Sequence, residues 1–323
     1  MLSDRFVLSL SKDEKMPQSV MMVGCRNVPT WPRTSPVAQC ALMERHSFTA
    51  SDGANLSYLL YRKGGGTGAP GGVLAIIHGI AYHAEPYMHT LADAAPDGWL
   101  VAALDLRGHG YSDGARGVRM PPDRVNRDIG EWLAHITNGF PGVKVSLLGQ
   151  SMGTVYALRF ARTHPGRLSG LILMAPAAIL ACQQVLHPQT AWHLFRSLLS
   201  PRRPVINVAG WRLVLATRDP DFLKMRSADT TAFDNISFAY LVQLGYAALS
   251  NIIKRPRLSC PVLILHGTAD KVLSLRGARL LARRISAPDV TLKVIEDAAH
   301  MLPWDPATLE IRRITKGWLS ANS

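Results

Sequence analysis

The sequence predicts an α/β protein with a mostly parallel central sheet flanked by helices and interrupted by an inserted helical cap. Three observations carry that expectation. Short, nearly unbroken apolar runs recur as VLAII (73–77), LVAAL (100–104), VSLLG (145–149) and LILMA (171–175), and VLILH (262–266) and TLKVI (291–295) resume them. Strands buried on both faces read this way, without the polar alternation of a half-exposed sheet. Helical patterns fall between the runs, over 86–95, 121–137, 152–163, 275–286 and 306–319. Strand and helix in alternation imply right-handed crossovers and a parallel sheet covered on both sides. The alternation is suspended over 176–256, where helical segments around 191–199 and 231–252 stand without strand-like runs.

The organisation follows in order. Residues 1–40 carry Pro17, Pro29, Pro32 and Pro36 without sustained periodicity, which predicts a poorly ordered extension. Residues 41–175 and 257–323 form the core, and 176–256 the cap. HSFTAS and NLSYLLYR flank Asp52-Gly53, a hairpin signal. The glycine-rich stretch 63–72 lacks the GxxxxGK[ST] pattern, so it reads as a connection and not a phosphate cradle. Within the cap, Phe233, Ile236, Phe238, Tyr240, Leu241, Leu244, Tyr246 and Leu249 spread wider than one helix face. Such a segment is covered on several sides or lines an apolar cavity.

Composition narrows the function. At 323 residues, 47% hydrophobic and 18% charged, the chain is neither disordered nor a coiled coil. The longest nearly apolar run, 168–181, is shorter than the roughly 20 residues of a spanning helix. Cys25, Cys40, Cys182 and Cys260 show no CxxC spacing, so neither a disulfide framework nor a zinc site is indicated, and a cytoplasmic, reducing compartment is expected. The first residues are too short an apolar stretch for a secretory signal. The net charge of +13 is dispersed and no nucleic-acid motif accompanies it. Nucleic acid is therefore excluded as a partner, and peripheral attraction to an anionic membrane surface is expected.

The sharpest chemical signal is Gly149-Gln150-Ser151-Met152-Gly153, placed between an apolar strand and a helical run. GxSxG needs that context: the serine occupies a strained strand-to-helix turn, and the flanking glycines admit neighbouring backbone. A serine hydroxyl needs a base and an orienting acid, here expected downstream in the order Ser, Asp, His. Asp270 follows VLILH in HGTADKV, and His300 follows the last strand in EDAAHMLPWD. Glu296, Asp297 and Asp305 are lesser alternatives for the acid. His266 would point into the sheet, His78 and His109 lie in loops before the serine, and His187 and His193 fall in the cap. His78-Gly79-Ile80 is a glycine-bearing turn after the first parallel strand, so the oxyanion donors are expected to be the backbone N–H groups of Ile80 and Met152. Each such donor is typically worth about 2.7–4 kcal/mol in a transition state. Asp105, Arg107, His109 and Asp113 read as structural, because a turn after a strand needs its buried polar groups paired.

HGIAYHAEPY (78–87), DLRGHGYSDGARG (105–117), GQSMG, HGTAD and AAH together resemble the α/β-hydrolase superfamily, in its monoacylglycerol lipase and lysophospholipase branch of serine aminopeptidase S33-like proteins. The resemblance covers about residues 46–320. It implies the α/β-hydrolase fold, Ser151 as nucleophile, Asp270 as acid and His300 as base. The branch usually has HGxGEHSxRY, where this chain has Ala81, Tyr82, Ala84 and Pro86 but keeps His83 and Tyr87, and GxSMGG, where it has Thr154 in the last place. The implied activity is a serine carboxylic ester hydrolase acting on a small-molecule acyl ester with a single acyl chain, a monoacylglycerol or a lysophospholipid. No metal or organic cofactor is implied. Candidate substrate-binding residues are His78 and Tyr87 together with the cap residues Phe195, Trp211, Phe222, Phe238 and Tyr246. The same triad would also serve a thioesterase, an acyltransferase or a small-ester esterase, and a catalytically silent ligand-binding relative is the alternative of another class.

Overall fold

A computed structural model describes residues 21–22, 43–66, 68–181, 200–209 and 211–322. The strands are β1 (Met21–Met22), β2 (Glu44–Thr49), β3 (Asn55–Arg62), β4 (Val73–Ile77), β5 (Leu100–Leu104), β6 (Val145–Gln150), β7 (Gly170–Met174), β8 (Pro204–Asn207), β9 (Asn235–Ser237), β10 (Val262–Gly267) and β11 (Val290–Ile295). The helices are α1 (Ala84–Leu91), α2 (Pro122–Thr137), α3 (Met152–Thr163), α4 (Trp211–Ala216), α5 (Pro220–Ala228), α6 (Phe238–Ile253), α7 (Leu275–Arg284) and α8 (Thr308–Ala321). Nine strands form one sheet in the order β1-β2-β3-β5-β4-β6-β7-β10-β11. Pairing is antiparallel from β1 through β5 and parallel from β5 to β11.

Each apolar run is a strand because both of its faces are covered. In β4, Val73, Ala75 and Ile77 pack on the side of α2, α3 and α7, whereas Leu74 and Ile76 pack on the side of α1 and α8. β5 and β10 divide in the same way. One unbroken run thus serves two cores through the two-residue strand period. The hairpin β2–β3 turns at Gly53, whose φ of +85° suits a residue without a Cβ. Met21–Met22 pairs with β2 at Arg45 and Glu44. At these two residues the chain departs from the expected unordered extension, because an edge strand offers unpaired backbone groups to any extended segment. The rest of residues 1–40 lies outside the described residues.

The insertion leaves the sheet after β7 and returns at β10. It is not purely helical: β8 and β9 pair antiparallel within it. These strands are short and lie about thirty residues apart, and NIS runs directly into an apolar helix, so no local period announces them. Ser237 ends β9 and caps α6, its hydroxyl accepting the Tyr240 N–H at 3.2 Å. The helix expected over 231–252 therefore starts at Phe238. The helix expected around 191–199 lies outside the described residues. The insertion is tied to the core by polar contacts: Asn251 Nδ2 donates to Val155 O at 2.9 Å, and the Ser237 N–H to Gly117 O at 2.7 Å.

Candidate active site

The site grows from the β6–α3 turn. Ser151 sits between strand and helix with φ +51° and ψ −116°, a backbone region that side chains normally avoid. Two contacts force this geometry. A Cβ on Gly149 would lie 2.5 Å from Gly153 O, and one on Gly153 would overlap the carbonyl of Ile77. The turn is thus pressed against β4 with only glycine at the crossing points, and the serine is lifted to the C-terminal edge of the sheet. Met152 is the first residue of α3, so its N–H has no acceptor within the helix and faces forward.

Three elements converge on this edge. His300 follows β11, with its Nε2 3.0 Å from Ser151 Oγ and its Nδ1 2.9 Å from an Asp270 carboxylate oxygen. Asp270 follows β10, and its other oxygen accepts the N–H groups of Val272 and Leu273 at 2.8 Å each. Burial pushes the Asp270 carboxyl up, but the neighbouring imidazoles and the Leu273 N–H outweigh it and hold the group below its usual range. An ionised carboxylate on Nδ1 leaves Nε2 as the acceptor for the serine proton. The imidazole thus bridges a hydroxyl and a carboxylate drawn from three distant parts of the chain.

The rival residues have other partners. His266 is buried, 3.7 Å from Asp270 and 3.3 Å from Leu273 O. Asp305 accepts the Ala299 and Ala307 N–H groups and so braces the His300 loop, while Glu296 accepts from the Thr268 hydroxyl. Asp105 accepts from Arg45, Ala84 N–H and Tyr111 N–H, and Asp113 from Asn55 N–H. Arg107 grips both oxygens of Asp128 on α2, a partner sequence distance conceals. His187 and His193 lie outside the described residues.

Ser151 and His300 open on an apolar cavity of about 190 Å³. Ile80, Met152 and Tyr87 line it from the core, and Phe222, Leu241 and Leu244 from the insertion. Among the described residues its wall holds no Asp or Glu. Of the candidate substrate contacts, Tyr87 lines the cavity, and so does Phe222. Phe238 packs against the core, and Tyr246 is 74% exposed on the outer side of α6. Both expectations fail because one helix cannot turn all its apolar side chains inward. Trp211 opens α4, whose Leu213 and Ala216 reach the wall, and Phe195 lies outside the described residues.

His78 is also corrected. It is fully buried away from the cavity, its Nε2 accepting the Leu106 N–H at 3.0 Å and its Nδ1 2.7 Å from Gly79 O. Burial pushes its pKa down to about 3. For the adjoining His109, burial and then His78 do the same, also to about 3. In the unfolded chain both rings protonate near pH 6.5, so between there and pH 3 the unfolded state binds more protons. The stability these two rings contribute is therefore complete above pH 6.5 and declines as pH falls, by about 1.4 kcal/mol per unit for each ring. Urea unfolding at about pH 7 and about pH 5 measures this. Equal or greater stability at the lower pH would contradict the assignment of two buried neutral imidazoles.

Sequence reasoning passed over Gln150, the variable residue of GQSMG. Its Oε1 accepts from the Tyr87 hydroxyl at 2.6 Å, that hydroxyl accepts the Gly79 N–H at 3.0 Å, and its Nε2 lies 3.4 Å from His300 O. One buried network thus joins the turn at Gly79, the turn that carries Ser151 and the loop that carries His300. Thr154 was noted only as a departure, yet its hydroxyl donates to Ser151 O at 2.5 Å and accepts the Ala177 N–H at 3.0 Å. A polar side chain beside Ser151 at a buried strand end was the available signal.

Fold and site together define an α/β-hydrolase with a capped apolar cavity. The family described as serine aminopeptidase, S33 matches residues 68–307, and this chain belongs to it. It is 30% identical over 257 residues to the human monoglyceride lipase, covering 77% of this chain and 82% of that protein. It is 28% identical over 275 residues to the monoacylglycerol lipase of Mycolicibacterium smegmatis, covering 85% and 96%. The crystal structure of Paleococcus ferrophilus monoacylglycerol lipase superposes with a TM-score of 0.67 at 25% identity, covering 83% of this chain and 99% of that one.

Proposed function

We propose that this protein is a serine carboxylic ester hydrolase of the monoacylglycerol lipase type, acting on single-chain acyl lipids through an acyl-enzyme. The observation that carries the reading is His300 held between Ser151 and Asp270 at the mouth of an apolar cavity. Ser151 Oγ attacks the acyl carbonyl as its proton passes to His300 Nε2, and Asp270 stabilises the imidazolium through Nδ1–H. The backbone N–H groups of Ile80 and Met152 receive the developing oxyanion. His300 returns the proton to the leaving alcohol, and water then repeats the sequence on the acyl-enzyme. The relatives named as monoglyceride and monoacylglycerol lipases support this substrate class. The wall, free of carboxylates among the described residues, offers a substrate amine no counter-charge, so ester cleavage is favoured over aminopeptidase action.

Each methylene moved from water into the cavity contributes about 0.8 kcal/mol before ordering costs. In a p-nitrophenyl ester series, kcat/KM is expected to rise from acetate to medium and long acyl chains. A fluorophosphonate is expected to label the wild type at Ser151. A preference for acetate would remove the lipid substrate class, and folded protein that resists the label would favour a silent ligand-binding relative.

A further inference from the structure

Besides the groups already assigned, two polar side chains line the cavity, Tyr82 and Arg226. Tyr82 is 4% exposed, and its hydroxyl has no hydrogen-bond partner among the described residues. A buried hydroxyl is costly to leave unbonded, so one in a cavity wall calls for a ligand atom to meet it. Burial, and then the nearby Asp229, hold this hydroxyl protonated well above its ordinary range, which keeps it a donor. Arg226 lies beside it, with the guanidinium carbon 5.7 Å from the centre of the Tyr82 ring. The Arg226 side chain is 8% exposed, and only Nη2 is engaged, donating to Phe233 O at 2.8 Å and to Asp234 Oδ1 at 2.9 Å. Nε and Nη1 keep their protons for a further acceptor.

The charge balance identifies the acceptor. Asp234 is 52% exposed, so solvent screens its charge. Asp229 is occupied by His83 Nε2 at 2.7 Å and by the Thr231 and Ala232 N–H groups. Neither carboxylate lines the cavity. The wall at this point therefore offers a phenol and a guanidinium, and such donors match oxygens that only accept, those of a phosphate or a carboxylate. The sequence departs here in the same sense. The branch pattern HGxGEHSxRY has a glutamate at position 82, an acceptor when ionised, where this chain has a donor. Tyr82 also stands two residues beyond Ile80, so at most about 7 Å separates their Cα atoms. Leu213, Leu241, Leu244 and Val272 supply apolar wall for an acyl chain, which leaves the polar pair to the alcohol side of the ester.

We propose that Tyr82 and Arg226 form a headgroup subsite for an anionic oxygen group, a phosphate or a carboxylate, carried by the leaving alcohol of the substrate. The proposal rests on the single-chain ester reading above and deepens it by naming the head. A neutral glycerol would give the guanidinium only uncharged acceptors, which bond it more weakly.

The test uses the full-length chain and three decyl ethers that cannot be cleaved, those of glycerol, of glycerol phosphate and of glyceric acid. In calorimetric titrations below the micelle concentrations, the wild type is expected to bind at least one anionic ether about tenfold or more tightly than the glycerol ether. The tighter of the two identifies the group. Arg226→Gln should bring the anionic and neutral ethers within about twofold of each other. Tyr82→Phe should weaken the preferred anionic ether by about three- to tenfold without loss of urea stability, since the hydroxyl it removes bonds nothing in the protein. That variant decides the matter by itself if Arg226→Gln does not fold. In turnover of the matching decanoyl esters, the ratio of kcat/KM for the anionic over the glycerol ester should fall in both variants, and a ratio does not depend on the fraction folded. Wild type that binds the glycerol ether as tightly as both anionic ones overturns the proposal. So does an Arg226 variant that keeps the anionic preference, or a Tyr82 variant that loses stability and keeps its affinity. An anionic preference in binding without fluorophosphonate labelling of Ser151 would instead remove the hydrolase reading and leave the subsite standing.

Discussion

Ser151→Ala is expected to lower kcat/KM for every ester tested by about 10⁴-fold or more, because the three groups of a triad act as a unit. The substitution removes only the hydroxyl. It leaves the φ of +51° as it was and keeps the Ser151 N–H bond to Met174 O at 2.9 Å. Thermal unfolding should therefore be nearly unchanged, and single-turnover measurements should show no acyl-enzyme. His300→Gln should give a loss of the same order, and the double variant little more. Activity within about tenfold of wild type in the Ser151 variant would move the nucleophile elsewhere and remove the catalytic reading.

Gly153→Val is expected to damage the fold severely although it touches no reacting atom. Already at Cβ the new side chain would overlap the carbonyl of Ile77 and lie 2.8 Å from that of His78. Both are main-chain atoms of β4 and its following turn, so no flexible side chain can give way. α3 must move off the sheet and carry Met152 and Ser151 with it. Overpacking of this kind costs about 1–3 kcal/mol and occasionally more, and branching at Cβ places this case at the upper end. Urea unfolding should show a loss of about 3 kcal/mol or more, with kcat falling in the protein that remains folded. Stability within 1 kcal/mol or so of wild type would mean that the contact between α3 and β4 is looser than described.

The legible parts of the chain share one physical property: their signal is local. VLAII, LVAAL and NLSYLLYR match β4, β5 and β3 residue for residue, since strand burial on two faces is written into consecutive side chains. MGTVYALRFART matches α3 in the same way, because its start is fixed by the serine turn before it. The illegible parts depend on partners far away in sequence. β8 and β9 exist only because they pair with each other. Arg107 could be recognised as a buried turn residue, but its carboxylate partner, Asp128, comes from another element. Phe238 and Tyr246 had the composition of cavity walls, and the rotation of α6 turned them elsewhere.

The alternating strands and helices of a mostly parallel sheet, and the three residue types that meet at its edge, were legible in the amino-acid order. Side-chain period, glycine placement and chain order are properties of neighbouring residues, and they survive without any knowledge of the fold. Packing decided the order of the strands in the sheet, which of the buried polar groups reach the serine, which face of α6 looks inward, and that Gln150 ties three loops together. Those outcomes depend on distances between segments as many as 150 residues apart, such as the one from Gln150 to His300. Such distances are set by packing of the whole sheet and its covering helices, which no local stretch of sequence encodes.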